Sequence, residues 1–285
     1  MKKLTFLFFI MQACIVFSQK TISADYKVFE TSKQSINLNN AYANNMFFGL
    51  FGVKHFINAL DLNFKGIKSI SITSNVNPKI KTPVYKAIYN QDGTINTFEI
   101  SEQLGKPLQV KYDYKNGFID KEIIHYQNKN VTENIFYYSD DKMYIEKPKQ
   151  ITEMVWLEGD VLLKKVYTDN KIATEDRLMH NCRITRSIGQ DVNKICFNNA
   201  DFKIPLIVTD FVPEVDEKTL KVNLKEGNKS EIKLISENKY AIYFKGKERY
   251  QVTLDKDKRI KSFNYLGNPA LKEAPISFTF AYTMY

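Results

Sequence analysis

From Phe64 to the end of the chain, hydrophobic and polar residues alternate with a period of two. Ile67–Ser74, Tyr85–Tyr89 and Ile276–Met284 are clear examples of this alternation. A period of two is typical of β-strands that turn one face toward a core. The alternating runs are short, and turn residues separate them about every ten positions. The pattern therefore predicts many short antiparallel strands joined by tight turns.

Three turns in this region are evenly spaced. Asp92-Gly93 and Asn116-Gly117 are the residue pairs that two-residue hairpin turns prefer, because they accept a positive φ. A third turn is expected at Ser139–Lys142, and Gly93, Gly117 and Asp141 are 24 residues apart in each case. This spacing fits one two-stranded unit with its connections. We therefore predict an all-β fold, an extended antiparallel β-meander built from hairpin repeats.

Three segments share an aromatic or apolar residue, a polar turn and an Ile that resumes the strand: Tyr89–Ile95, Tyr112–Ile119 and Leu254–Ile260. This arrangement resembles the YD (Rhs-type) repeats of secreted Bacteroidetes proteins, over residues 64–145 and 220–266. Only Tyr112-Asp113 with Gly117 keeps the whole motif, so the repeats are degenerate. The resemblance implies a β-meander and carries no catalytic residues.

The N-terminus has the layout of an export signal. Lys2 and Lys3 precede an apolar run that ends near Phe17, which is shorter than the roughly 20 residues of a spanning helix. We predict a signal peptide over residues 1–18 and a mature chain from Gln19. Two alternatives are a retained membrane anchor and a lipoprotein acylated at Cys14.

The remaining chain divides by pattern into three parts. Residues 19–63 form an N-terminal arm, in which apolar residues at helical spacing predict one or two short helices near residues 41–62. Residues 64–204 are the β-repeat region. Residues 205–285 are a C-terminal β-region that begins at Pro205, and a sheet continuous across that boundary is an equal alternative.

Composition places the chain among globular proteins with a sizeable core. It has 285 residues with 44% hydrophobic, 13% aromatic and 26% charged content, which excludes disordered, collagen-like and coiled-coil classes. Removing residues 1–18 leaves 39 Lys and Arg against 32 Asp and Glu, a formal charge of +7. The basic residues are spread along the chain and include only five Arg, so we expect no nucleic-acid partner.

Cys182 and Cys196 are the two cysteines of the predicted mature chain, and they are a candidate disulfide. Two hairpin registers compete. A two-residue loop at Gly189-Gln190 sets Ile184 opposite Ile195 and puts the two cysteines on different faces. An odd loop centred on Gly189 allows the bridge but sets Ile184 opposite Lys194. Buried free thiols are the alternative to the disulfide.

The usual catalytic and metal-binding patterns are missing from the sequence. His55, His125 and His180 are far apart, and no zinc, nucleophile-elbow or phosphate-loop motif is present. Acid-rich turns are the remaining candidates for a hydrolase or a metal site, and they occur at Asp140-Asp141, Glu158–Asp160, Glu175-Asp176 and Asp255–Asp257. We interpret them as hairpin turns, assign no catalytic or metal-binding residue and expect no cofactor.

These observations favour an exported, periplasmic or extracellular protein that acts as a non-catalytic binding or scaffolding surface in the cell envelope. Its expected partner is an unknown envelope protein or glycan. The first alternative is a hydrolase or metal-dependent enzyme that uses acidic turns. We rank an outer-membrane barrel lower, because Tyr285 has the opposite parity to the apolar residues of its strand and because charges such as Lys121 and Glu122 occupy both strand faces.

Overall fold

The computed structural model describes Phe56 and residues 59–60, 62–63, 65–77, 79, 82–104, 107–115, 118–139, 142–157, 161–179, 181–187, 189–198, 203–219 and 222–285. The predicted signal peptide, Cys14 and most of residues 41–62 lie outside these residues.

The described chain folds into one antiparallel sheet of eighteen strands. The strands are β1 (Ile67–Ser74), β2 (Tyr85–Tyr89), β3 (Ile95–Ile100), β4 (Leu108–Lys115), β5 (Phe118–Tyr126), β6 (Val131–Ser139), β7 (Lys142–Lys147), β8 (Gln150–Leu157), β9 (Val161–Thr168), β10 (Lys171–Leu178), β11 (Cys182–Ser187), β12 (Gln190–Phe197), β13 (Leu206–Val215), β14 (Val222–Ser236), β15 (Lys239–Phe244), β16 (Lys247–Leu254), β17 (Ile260–Tyr265) and β18 (Ile276–Met284). Short 3₁₀ turns occur at Glu102–Leu104 and Pro269–Leu271.

Each strand pairs with the next one along the chain, and β1 also pairs with β18. The all-β meander is therefore confirmed, and the pairing of the first and last strands closes it into a barrel, which the sequence pattern alone did not predict. The sheet runs through Pro205 without a break, because β12 pairs with β13 directly after it. The evenly spaced turns join β2 to β3, β4 to β5 and β6 to β7, all at one end of the barrel.

The inner face of the barrel is apolar over most of its circumference. Ile70, Ala87, Phe98 and Val110 are register partners on neighbouring strands, and all four are fully buried. The same face continues through β13–β18, where Ile232, Ile242 and Val252 are also fully buried. One connected hydrophobic core therefore includes both stretches of wall.

Residues that precede β1 contribute to this core. Phe56 and Leu60 are buried in it, and the Phe56 ring packs edge-on against Phe244 with centroids 5.9 Å apart. Asn63 donates its backbone N–H to the carbonyl of Lys258, in the turn between β16 and β17. A round barrel of this many strands encloses an aqueous channel, but fully buried inward side chains leave no room for one along this part of the wall.

The outer face carries paired charges, and on β8 and β9 it also includes the buried apolar register partners Val155 and Leu163. Glu153, Lys165, Glu175, Arg186 and Asp191 follow one another across β8–β12 as register partners of alternating sign. Elsewhere on this face Lys111 pairs with Asp113 at 2.7 Å and Lys121 with Glu133 at 2.6 Å. The isoleucines exposed on this face, such as Ile88 and Ile151, are separated by polar neighbours.

The β13–β14 hairpin extends beyond its neighbours. β14 has 15 residues, yet it pairs with β15 only from Ser230 onward. β13 pairs with β12 only up to Phe211, whereas its pairing with β14 continues to Val215. The half of this hairpin nearest its turn therefore projects past the rim of the barrel. Its core-facing side borders the mouth of the barrel, next to the β15–β16 turn.

Candidate functional site on the inner wall

Strands β9–β11 place charged side chains on the same inner face that is apolar elsewhere. Lys164, Asp176 and Thr185 are register partners, and Arg183 is two residues from Thr185 on β11. The Arg183 guanidinium donates to Asp176 Oδ2 at 2.6 Å, and the Thr185 hydroxyl donates to Asp176 Oδ1. These four residues form the Asp176 cluster. It holds two cations and one carboxylate, so its formal charge is positive.

The environment of the Asp176 cluster shifts two pKa values. Burial raises the pKa of the Asp176 carboxyl, but the Thr185 hydrogen bond and the charges of Arg183 and Lys164 outweigh it, and the pKa is lowered. Burial is the main reason that the pKa of Lys164 is lowered, with Asp176 opposing the shift and Arg183 and Lys147 adding to it. Asp176 is thus held as an anion by its neighbours.

A second polar group lies within the apolar part of the wall. Glu122 is buried with 1% of its surface exposed. It accepts a hydrogen bond from the Tyr112 hydroxyl at 2.9 Å and one from Asn134 Nδ2 at 2.5 Å. The Oδ1 atom of Asn134 is buried and has no hydrogen-bond partner among the described residues. This network satisfies Glu122 and cross-links β4, β5 and β6 from within.

A cavity of about 240 Å³ opens at the mouth beside the projecting hairpin. Its lining residues are Asp210, Asn228, Ser230, Phe244, Lys245, Lys247 and Arg249. Asp210 is half-buried, and burial raises its pKa. Arg249 donates to the carbonyl of Gly267 at 3.1 Å, whereas Lys245 and Lys247 are exposed. The cavity therefore combines one carboxylate with three cationic side chains.

Reasoning from the sequence missed Asp210 and gave Lys164 no functional role. A signal for both was present. Asp210 has the same parity as the buried Leu206 and Val208, and Lys164 lies on the inner face of β9 opposite the buried Met154. A charged residue on the apolar face of a strand is expensive to bury, so it marks a place where the interior is polar.

Cys182 and Cys196 are register partners joined by a disulfide with an S–S distance of 2.10 Å. The observed register is the one that sets Ile184 opposite Lys194, and the strands shift by one residue closer to the turn. The bridge lies between β11 and β12, on strands that border the Asp176 cluster.

The predicted acid-rich turns do not converge on a site within the described residues. Asp255 Oδ1 accepts the backbone N–H groups of Asp257 and Arg259, each at 2.9 Å, as in an ordinary turn. Glu175 and Asp176 lie within β10, so their interpretation as a hairpin turn is wrong. They point to opposite faces, and Glu175 pairs with Arg177 at 2.7 Å. Asp140-Asp141 and Glu158–Asp160 lie outside the described residues, as do His55 and His180. His125 is exposed on the outer face opposite Gln109.

Four tyrosines of β2 and β4 contribute to the core. Tyr85, Tyr89 and Tyr112 are buried, and the Tyr114 hydroxyl donates to the carbonyl of Ile95 at 2.6 Å. In the described part of the chain, no group of three or more His, Cys, Asp or Glu side chains is placed to hold a metal ion. None of the helical segments described has the length and apolar character needed to cross a membrane.

Comparison with known proteins finds structural likeness but no match by sequence. No protein-family model matches the chain, and no curated protein matches it. Among solved structures, a porin-like protein from Bacteroides uniformis is similar over 80% of this chain and 100% of that chain, with 11% sequence identity and a TM-score of 0.35. A likeness at this level does not bear on what the chain does.

Proposed function

We propose that this protein is a non-catalytic, water-soluble barrel of the cell envelope that binds a partner or ligand. The observation that carries the proposal is the distribution of polarity between the two faces of the sheet. The inner face is apolar and buried over most of the circumference, and the outer face has the alternating charges of Glu153, Lys165 and Glu175. Export by the predicted leader places such a barrel in the periplasm or outside the cell.

The energetic argument is one of solvation. In a membrane barrel the outward band is apolar, and a Lys or Arg at the bilayer midplane costs about 2–4 kcal/mol. Lys165 lies in the middle of β9 on the outer face, and Glu153 and Glu175 are its register partners there, whereas Arg186 is close to the end of β11. Placing this row in hydrocarbon would therefore oppose insertion, whereas in water cross-strand pairs of opposite charge are favourable.

A barrel of the outer membrane is the second candidate, and one specific observation favours it. Eighteen antiparallel strands paired in chain order and closed between first and last are the topology that such barrels use. The polarity of the two faces is the reverse of what that function requires. We therefore rank it below the soluble barrel.

The alternative of a hydrolase or metal-dependent enzyme has little support from the acidic turns. Their described carboxylates accept backbone N–H groups of their own turn or pair with a neighbouring Arg. Glycoside cleavage requires two carboxyl groups that share a cleft. The charged residues of the mouth cavity, by contrast, line a space in which a ligand can be bound without being chemically converted.

The test is expression of the full coding sequence with its own leader, followed by cell fractionation and purification without detergent. We expect a protein cleaved before Gln19 that is monodisperse in salt buffer, with strand-dominated circular dichroism. Retention in the outer-membrane pellet, together with heat-modifiable migration on gels, would favour the second candidate. Turnover of polysaccharide, peptide or ester substrates by the pure protein would instead favour the enzyme.

A further inference from the structure

The cavity at the mouth holds opposite charges that do not neutralise each other. Asp210 forms no ion pair within 4.0 Å and no side-chain hydrogen bond among the described residues, and neither Lys245 nor Lys247 forms an ion pair there. Lys has a long flexible side chain that closes readily on a carboxylate. A cavity that keeps these groups apart fits a ligand that carries separated charges of its own.

From this arrangement we infer that the mouth cavity binds a small zwitterion, an amino acid or short peptide with a free ammonium and a free carboxylate. The ammonium pairs with the recessed Asp210 carboxylate. The ligand carboxylate pairs with Lys245 and Lys247 at the exposed side of the cavity. Phe244 and the buried Ser230 supply one apolar and one hydroxyl contact between the charged ends.

Size and burial agree with this class of ligand. A volume of about 240 Å³ is just below the range of roughly 300–1,000 Å³ for drug-sized molecules, so the cavity suits a smaller one. Asp210 is half-buried and has no ion-pair partner among the described residues, so a ligand cation would find an unneutralised carboxylate there. The Phe244 ring packs edge-on against Phe56, and this contact orients one wall of the cavity before any ligand binds.

The inference deepens the proposed binding function and rests on it. The experiment is a calorimetric titration of the purified protein with glycine and glycylglycine, with N-acetylglycine and glycinamide as ligands that each lack one charge. We expect a zwitterion to bind at least about tenfold more tightly than either single-charge ligand.

The variants Asp210→Asn and Lys247→Gln test the two ends separately. Asp210→Asn is expected to weaken glycylglycine binding about tenfold to a hundredfold and to leave N-acetylglycine binding unchanged or stronger. Lys247→Gln is expected to weaken binding of both glycylglycine and N-acetylglycine. Asp113→Asn is the matched control, because this carboxylate pairs with Lys111 on the outer face and should not affect any titration.

Three outcomes would overturn the inference: no saturation by either zwitterion, equal binding of N-acetylglycine, or unchanged glycylglycine binding in Asp210→Asn. Equal binding of N-acetylglycine would identify a simple anion site. Solubility of the same preparation separates the two proposals. If the protein is folded without detergent and binds neither zwitterion, the proposed site is refuted but the soluble barrel is not. A protein that requires detergent refutes the soluble barrel, and the titration then tests the site by itself.

Discussion

The inner wall of the barrel has two regions with the same backbone pattern and opposite chemistry. In β1–β4 the inward side chains are fully buried and apolar, as at Ile70 and Phe98. In β9–β11 the same face carries Lys164, Asp176 and Arg183, which are only partly buried. The first region provides the hydrophobic free energy of folding. The second region contributes less hydrophobic free energy, so its charged side chains must be stabilised by pairing. The disulfide lies on β11 and β12, next to this region.

The largest expected effect on stability comes from truncating a large side chain in the apolar region. Phe98 is fully buried and packs against the rings of Tyr85 and Tyr112. We expect Phe98→Ala to lower the free energy of unfolding by about 3–5 kcal/mol in guanidinium titrations. Ile172→Ala, at a residue 50% exposed on β10, is the control and should change it by about 0.5 kcal/mol or less. Equal losses in the two variants would contradict the assignment of the core.

Removing the disulfide tests whether covalent closure compensates for weaker burial near the polar region. The bridge joins residues 14 apart in sequence, and the double variant Cys182→Ser with Cys196→Ser should lose about 3 kcal/mol of unfolding free energy. The measurement is urea unfolding of both proteins, with chemically reduced wild type as a second reference. A loss below about 1 kcal/mol would mean that β11 and β12 are held without it.

The variant Asp176→Asn tests the polar region through the pH dependence of its unfolding free energy. At neutral pH the loss of its charged hydrogen bonds should cost about 1.5–3 kcal/mol. The folded-state pKa of Asp176 is lowered, so its stabilising effect is complete above the unfolded-state pKa and disappears as the pH falls through the folded-state pKa. The stability difference between wild type and variant should therefore shrink at acidic pH. A difference that stays constant would show that the carboxylate charge is not responsible.

The smallest expected effect is on the outer face. Glu153→Gln removes one charge from the alternating row, opposite Lys165, and should lower stability by about 0.2–1 kcal/mol. The difference should decrease in high salt, since Lys142, the ion-pair partner of Glu153 at 3.8 Å, is partly exposed and screening weakens the pair. Unfolding titrations at low and high ionic strength measure it. A loss comparable to that of Phe98→Ala would mean that the outer face is not in contact with water.

The period-two pattern was sufficient to predict strands such as Ile276–Met284 and the turn at Asp92-Gly93, because local alternation and turn chemistry are encoded in neighbouring residues. Closure was not predictable in this way. It depends on β1 meeting β18, which adjacent residues do not specify. The cavity was missed for a related reason, since Asp210 and Lys247 are far apart in sequence and meet only through the stagger of β13–β16.

The seam of the barrel has a consequence for how the protein is made. Ile67 pairs with Met284, 217 residues later (284 minus 67), and Tyr285 donates its N–H to the carbonyl of Gly66. The ring cannot be completed until β18 has been synthesised, so closure of the barrel must follow translation of nearly the whole described chain. Loss of β18 would leave two open edges, on β1 and β17, each able to recruit a foreign strand and seed aggregation.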